Sequence, residues 1–346
     1  MEVPCVRVPR EDGEEARREL ADADLIADGY EITVEDGWLY IPVVDPEAVP
    51  EGFDVVEREA PDRETQTAPA DLLGFDPSYE RLGDIVILDE DDPERAARIA
   101  RAVVESDLPV ETVLNKASKV KGETRVREWD LLEGEGTETV HREYGFEYAL
   151  DLAAVYFSPR LATERHRVTE QVGEHEHVFD MFAGVGPFAI PAAARGARVV
   201  GVDVNERAVE YLRENARRNG VADRVTAIHG DVRDVVAGTS DERWSSDGVR
   251  DVAPEYEGWA GRIVMNLPHS ADTFLDTAVS LAGEECVLHY YDIAHDEDPF
   301  GPGERAIREV ATTDGYDVDV ETRRVVRSYA PHELNVCLDV RLSRSA

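Results

Sequence analysis

Residues 177–190 read HVFDMFAGVGPFAI, and this stretch decides the fold. A strand-like run, His177 to Phe182, carries the turn Asp180-x-x-x-Gly184-x-Gly186, and Pro187 then stands where it suits the first position of a helix. Glycines in such a turn let backbone come close to a ligand. A dinucleotide turn wants a third small residue three positions on, which Ala189 supplies. The turn alone therefore leaves three readings open: a dinucleotide site, a site for an adenosyl ligand without phosphates, and plain strand-to-helix packing.

Working outward, the alternation repeats. Strands are predicted over Ala197 to Asp203, Arg224 to His229, Arg262 to Asn266 and Glu285 to Ile293, with amphipathic helices between them over Glu206 to Asn219 and Ser270 to Ala282. Strand–helix repetition of this kind implies an α/β fold: a doubly wound, mostly parallel sheet with helices on both faces. The last two apolar runs, YDVDVETRRVV (316–326) and NVCLDVRLS (335–343), have no helix between them and should form an antiparallel edge hairpin. Residues 237–259 are rich in Gly, Ser and Asp and read as a long, mobile surface insertion.

Upstream the rhythm differs. Short strand-like runs (Cys5 to Val8, Trp38 to Val44, Phe53 to Glu57) surround one helical pattern, Glu14 to Ile26, and EAPDRETQTAPA (59–70) reads as a linker. A strand from Asp84 to Leu88 and a helix from Pro93 to Ser106 follow. The expected organisation is a Rossmann-like domain at 156–346, preceded by two small α+β domains at 1–66 and 67–155.

The strand ends favour one ligand. Asp203, closing the second strand, is placed to accept both hydroxyls of a ribose, with Val204 beside it. In HGDVRD (229–234), Asp231 suits an adenine amine and the Val232 N–H the ring edge. Together with the Asp180 turn they describe a pocket for adenosine without phosphates, which favours S-adenosyl-L-methionine over NAD. In IVMNLPHS (263–270), Asn266 ends the fourth strand, where doubly wound sheets bind ligands, and Pro268 stiffens the chain after it. The asparagine oxygen suits a planar N–H of a base.

Composition bounds the setting. Of 346 residues, 75 are Asp or Glu and 37 Lys or Arg, a formal charge of -38. Such self-repulsion is best tolerated where salt screens it, so a halophilic cytoplasm is expected. Lysine occurs only at Lys116, Lys119 and Lys121, a cluster that stands out on an acidic surface. No apolar run reaches the ~20 residues of a membrane span, and the opening lacks a secretory pattern, which predicts a soluble, cytoplasmic protein; a monomer is expected. Cys5, Cys286 and Cys337 are scattered, so neither a disulfide framework nor a cysteine metal site is expected.

Several strings, in order, resemble one family: NKASKVKGETRVREWDLLEGE (115–135), REYGFEYALDLAAVYFSPRLATER (142–165), DMFAGVGPFAIPAA (180–193), GVDVNERAVEYLREN (201–215), VMNLP (264–268) and VRSYAPHE (326–333). They are similar to the archaeal and eukaryotic tRNA guanine-N1 methyltransferases that act at position 37. The N-terminal module resembles that family's elbow-binding domain in size and position. The resemblance implies S-adenosylmethionine as cofactor and tRNA, through its anticodon stem-loop and elbow, as partner. It makes Glu164 the general base, Arg125 the arginine facing guanine O6, and Asn266 the residue that positions the base edge. It assigns the cofactor to Arg165, Asp203, Asp231 and Val232, and the pocket wall to Tyr156 and Pro268. A nucleotide must leave its stack to reach a strand-end pocket, so flipping is expected, with phosphate contacts from Lys116, Lys119, Lys121 and nearby arginines such as Arg160. His269 after NLP departs from the usual pattern and touches only fine positioning.

The chemistry explains the residue types. Guanine N1 carries a proton that must leave as a methyl arrives; a carboxylate can take it, and a guanidinium stabilises the charge that moves to O6. Burial against apolar neighbours such as Tyr156 and Phe157 is expected to make Glu164 a better base, against the alternative of a surface glutamate paired with Arg167. Three rivals stand beside this reading: transfer of an aminocarboxypropyl group in wyosine synthesis, a tRNA-binding module without catalysis, and an NAD-dependent oxidoreductase.

Overall fold

The computed structural model describes residues 2–63, 66–119, 122, 124–238 and 256–345. They fall into two compact units, Met1–Leu72 with Ser106–Leu108, and Leu73–Glu105 with Pro109–Ala346.

In the first unit four antiparallel strands stand in the order Thr33–Glu35, Trp38–Pro42, Glu2–Pro9, Asp54–Glu59. The helix Gly13–Asp22 packs Ala16 and Leu20 into a small core with Val6, Val8 and Ile41. Helical periodicity runs on to Ile26 in the sequence, but the helix stops at Asp22. Asp24 adopts φ +58°, which ends the helical run, and Ile26 makes an isolated bridge to Val43, just past the strand Trp38–Pro42.

The second unit opens with a sheet ordered Glu80–Leu82, Ile85–Leu88, Thr112–Lys116, Trp129–Glu133, covered by the helix Pro93–Glu105. A hairpin, Glu138–Glu143 with Phe146–Asp151, turns at Tyr144 and Gly145, both at positive φ. Leu82, Ile85, Leu114, Tyr148 and Leu150 share one core with Val178, Val199 and Leu212, so this segment and the large sheet pack as one body.

Seven strands build the large sheet: β1 (His177–Asp180), β2 (Arg198–Asp203), β3 (Val225–His229), β4 (Ala260–Met265), β5 (Ala282–His295), β6 (Tyr316–Ala330) and β7 (Glu333–Arg344). Their order is β3-β2-β1-β4-β5-β7-β6, parallel from β3 to β5. β7 is antiparallel to both neighbours and lies between β5 and β6, so of the expected edge hairpin only β6 is an edge. That position explains why β7 is nearly all buried while β6 alternates.

The helices are α1 (Ala162–Thr169), α2 (Ala189–Ala194), α3 (Glu206–Arg218), α4 (Val232–Val236), α5 (Leu275–Leu281) and α6 (Gly301–Thr313). Along β1, Val178 faces the core made with α2 and α3, and Phe179 the core made with α4, α5 and α6: the two-residue period of a strand between two helical layers. α3 starts at Asn205, whose side-chain oxygen accepts the Arg207 N–H at 3.1 Å, and buries Ala208, Val209, Leu212 and Ala216. Each such Leu or Val gains ~1.5–3 kcal/mol from burial. Chain order reverses between β1 and β4, which opens a crevice at their carboxyl ends.

Residues 239–255 of the expected insertion lie outside the described residues, but its end belongs to the core. Tyr256 is buried and Trp259 stacks on His177 at 4.5 Å. The three cysteines are buried and free. Among the described residues no helix is long and apolar enough to cross a membrane.

Candidate active site

The glycine turn sits at the mouth of the crevice. Gly184 (φ +53°) donates its N–H to Asp203 Oδ2 at 2.8 Å, and Asp203 Oδ1 accepts the Asn205 N–H at 2.8 Å. Backbone donors thus fix the Asp203 carboxylate across the ends of β1 and β2. Burial holds its pKa above the ordinary value despite those two hydrogen bonds. Gly186 has φ +96°, and a methyl there would come within 2.5 Å of Leu212 Cδ1. Gly186→Ala should therefore lower thermal stability by at least ~1 kcal/mol and weaken adenosyl-ligand binding. An unchanged melting temperature would show that this turn has no need of glycine.

Asp180 is buried, and burial pushes its carboxyl up to about 7, aided by the nearby Asp203 charge and opposed by the Phe182 N–H. Its Oδ2 has no hydrogen-bond partner among the described residues. An orphaned, buried carboxylate oxygen beside a glycine turn fits a cationic ligand group, and the turn fits the rest of an adenosyl cofactor. Val204, 41% exposed, offers the apolar surface an adenine would cover.

At the end of β3, Asp231 caps α4 by accepting the Arg233 N–H at 2.9 Å and also pairs with the Arg233 guanidinium, which holds its pKa below the usual range. The carboxylate expected to wait for an adenine amine already has a cation on it. Val232 is buried at the first position of α4, where a helix leaves N–H groups without intrahelical acceptors. Arg165 is also spoken for. Its Nε and Nη2 grip Glu143, its Nη1 donates to the Ser158 carbonyl at 3.0 Å, and it lies over Phe157. These contacts brace the chain leading into α1.

Glu164 is seated on the row of the sheet that begins one step past the end of β4, where Asn266 follows Met265. The pair Met265↔Tyr290 puts Asn266 beside Tyr291, and Tyr291↔Cys337↔Arg324 continue the row through β7 to β6. Glu164, 4% exposed, reaches down from α1 onto that row. Its Oε1 accepts from the Tyr291 hydroxyl (3.0 Å) and Arg167 Nη2 (2.7 Å), its Oε2 from Arg167 Nε (3.0 Å), and Arg324 Nε stands 3.0 Å from Oε2 as an ion pair. The apolar setting expected from Tyr156 and Phe157 is thus replaced by a phenol and two guanidiniums, and the Arg167 pairing exists in a buried rather than a surface form. Burial pushes the Tyr291 phenol well above its ordinary pKa, so it stays a donor.

Behind Glu164 runs a buried relay of charge. Asp339 accepts from both Arg167 Nη atoms and pairs with His289 Nδ1 at 2.7 Å, while Arg262 Nη1 faces His289 Nε2 at 2.7 Å. Arginine can only donate, so His289 Nε2 must carry a lone pair and Nδ1 the proton. Burial accordingly holds His289 below its ordinary pKa, with Arg262 and Arg167 adding to the effect. Burial alone would raise the Asp339 pKa, but hydrogen bonds from His289 and Arg167 win and keep it far below the carboxylate range.

Facing this edge, Lys116, Arg125, Arg127, Tyr156, Arg160 and Arg327 line one cleft. Arg125, at φ +54°, lies over the Tyr156 ring at 5.0 Å. Lys116 is tied to Glu80 at 3.1 Å and Asp89 at 2.9 Å, so the lysine expected on RNA phosphates is largely spent on carboxylates; Arg160 shares Glu80 at 2.7 Å. Lys119 is exposed, and Lys121 lies outside the described residues. Pro268 is buried, and His269 follows at φ +83° with its ring 5.2 Å from Tyr329.

Comparison with known proteins accords with this geometry. The family model for the TRM5/TYW2 methyltransferase domain matches residues 139–320, that for the tRNA methyltransferase 5 N-terminal domain residues 5–51, and that for the TYW2 N-terminal domain residues 65–137. The chain is 40% identical to the tRNA (guanine(37)-N(1))-methyltransferase Trm5b of Pyrococcus abyssi, over 98% of this chain and 99% of that one. To the tRNA(Phe) (4-demethylwyosine(37)-C(7)) aminocarboxypropyltransferase of Pyrococcus horikoshii it is 32% identical over 80% of this chain and 94% of the other. The solved complex of aTrm5 with tRNALeu superposes with a TM-score of 0.71 at 31% identity, covering 98% of this chain and 99% of that one. With its α/β sheet, its glycine turn and full-length relatives of this kind, the chain belongs to the TRM5/TYW2 methyltransferase family.

Proposed function

We propose that this protein transfers the methyl group of S-adenosyl-L-methionine to N1 of guanosine 37 in tRNA. The observation that carries the reading is the row Tyr291, Cys337, Arg324 with the Glu164 carboxylate seated on it, one step past the Met265↔Tyr290 pair after which Asn266 leaves β4. The cofactor supplies an electrophilic methyl on sulfur. Asp180, Gly184, Gly186, Asp203, Val204, Asp231 and Val232 hold it at the ends of β1, β2 and β3. Asn266 accepts from the base edge, Pro268 and Tyr156 wall the pocket, and Glu164 takes the N1 proton as the N1–methyl bond forms. Arg125 faces O6 and stabilises the negative charge that the departing proton leaves there.

A base can reach such a strand-end pocket only after leaving its stack, so the target guanosine is flipped out. Lys119, Lys121 and Arg160 then meet phosphates, with Lys116 held back by its two carboxylates. We assign residues 1–66 to the tRNA elbow, 67–155 to the anticodon stem-loop and 156–346 to methyl transfer, in a monomer suited to the cytoplasm of a halophile. The two Trm5b relatives, at 40% and 33% identity over 98% of the chain, match better than the aminocarboxypropyl transferases, at 32% and 29% over 80% and 77%, which supports methyl transfer over that rival.

Incubation with labelled S-adenosylmethionine and G37 or A37 tRNA transcripts in molar KCl tests the reading. Label in 1-methylguanosine, dependent on G37, is expected. A labelled aminocarboxypropyl adduct, or no product, would overturn it.

A further inference from the structure

A carboxylate has about four in-plane acceptor positions, and in Glu164 they are all covered, three by hydrogen bonds from Tyr291 and Arg167 and the last by the Arg324 ion pair at 3.0 Å. A base covered in this way has nowhere to receive a proton, so one donor must leave when the substrate nitrogen arrives. Tyr291 is 1% exposed and fixed in β5. Arg167 is tied to the buried Asp339 through both of its Nη atoms. Arg324 differs on each count: its side chain is 45% exposed, it lies on the edge strand β6, and its contact with Glu164 is an ion pair rather than an aligned hydrogen bond. Exposed pairs are the weakest electrostatic contacts, so this is the one that yields.

We propose that Arg324 is a substrate-positioning residue: it covers Glu164 in the free protein and moves to a backbone phosphate of the RNA as the flipped base enters, which uncovers the catalytic carboxylate. The inference deepens the methyl-transfer reading and rests on it. A guanidinium released from a carboxylate is matched by another planar anion, and a phosphodiester offers the same paired oxygens. The second observation lies three residues along the same strand. Arg327 lines the cleft with Arg125 and Tyr156, and its Nε is buried without a hydrogen-bond partner among the described residues. β6 thus carries two arginines at the edge that RNA would meet, one held in reserve on the base and one with a donor unused.

The test uses the full chain and a G37 transcript, with tRNA binding measured over a series of KCl concentrations and methyl transfer followed in single turnovers. Arg324→Gln should weaken tRNA binding about tenfold and flatten the slope of log affinity against log salt by roughly 0.7–0.9, the loss of one phosphate contact. KM for tRNA should rise by more than kcat falls, and Arg324→Lys should recover the slope. An unchanged slope overturns the proposal, as does a chemical rate that collapses at saturating tRNA with binding intact, which would make Arg324 part of the reacting centre. Failure of the wild-type protein to form 1-methylguanosine would instead overturn the reading beneath it, and the salt slope would still decide whether Arg324 touches RNA.

Discussion

Glu164→Gln should lower the single-turnover rate of methyl transfer at saturating tRNA by about 10²–10⁴-fold while S-adenosylmethionine affinity changes by no more than about two-fold. The argument is one of donors and acceptors. All four contacts to the Glu164 carboxylate come from N–H or O–H groups or a guanidinium. A glutamine keeps one oxygen to meet two of them and sets its own NH₂ against the others, and that nitrogen has no lone pair to accept the guanine N1 proton. The same mismatch costs stability, because Arg167 and Arg324 lose a buried anion. The rate should therefore be read well below the variant's melting temperature, with Glu164→Asp as the companion that keeps a carboxylate and retains more activity. A rate for Glu164→Gln within about three-fold of wild type would remove Glu164 from proton transfer.

The sheet was legible in the sequence because it rests on local signals. Strand-length apolar runs alternate with amphipathic helices, and the Asp180–Gly186 turn and the acids at Asp203 and Asp231 sit at strand ends that a doubly wound fold must bring together. The hairpin was legible too, but its placement was not. Nothing local tells β7 to slide between β5 and β6: NVCLDVRL alternates an apolar face (Val336, Leu338, Val340, Leu342) with one that carries Asn335, Asp339 and Arg341, a pattern an edge strand would also show, although all of it but Arg341 is buried. The surroundings of Glu164 were hidden for a related reason. Arg167 stands three residues away and was visible as a pairing partner, but Tyr291, Arg324 and Asp339 come from three strands more than 120 residues further on, and their meeting depends on register. Apolar neighbours in sequence, Tyr156 and Phe157, misled because nearness along the chain says little about which face of a helix a carboxylate uses. The partners of Lys116 were hidden as well: in so acidic a chain a lysine readily meets carboxylates, here Glu80 and Asp89, which lie far from it in sequence.

Asp339→Asn should destabilise the protein by ~3–5 kcal/mol, more than any surface ion-pair change, because it removes a buried anion that answers the partly buried Arg167 and accepts the His289 Nδ1 proton. In the wild type, Asp339 stands between Arg167 and His289, and His289 in turn accepts from Arg262. Neutralising it leaves the Arg167 charge answered only by Glu164, so the group that positions the base is itself loosened, and the chemical rate should fall with stability. The pH dependence follows from the direction of the shifts. The folded-state pKa of Asp339 is depressed, so its contribution is fully present above the unfolded value of ~3.9 and is lost as pH falls below it. His289 is depressed as well, and its contribution starts to fade at a higher pH, below ~6.5, as the unfolded chain takes up a proton that the buried, Arg262-facing ring refuses. Chemical denaturation at fixed high salt should therefore show a gap between wild type and Asp339→Asn that is constant near pH 7–8 and narrows below about pH 4, where the wild-type advantage is itself titrated away. A gap that stays constant through pH 3, or one under ~1 kcal/mol at neutral pH, would mean that the Arg167–Asp339–His289 relay carries little of the stability that its geometry assigns to it.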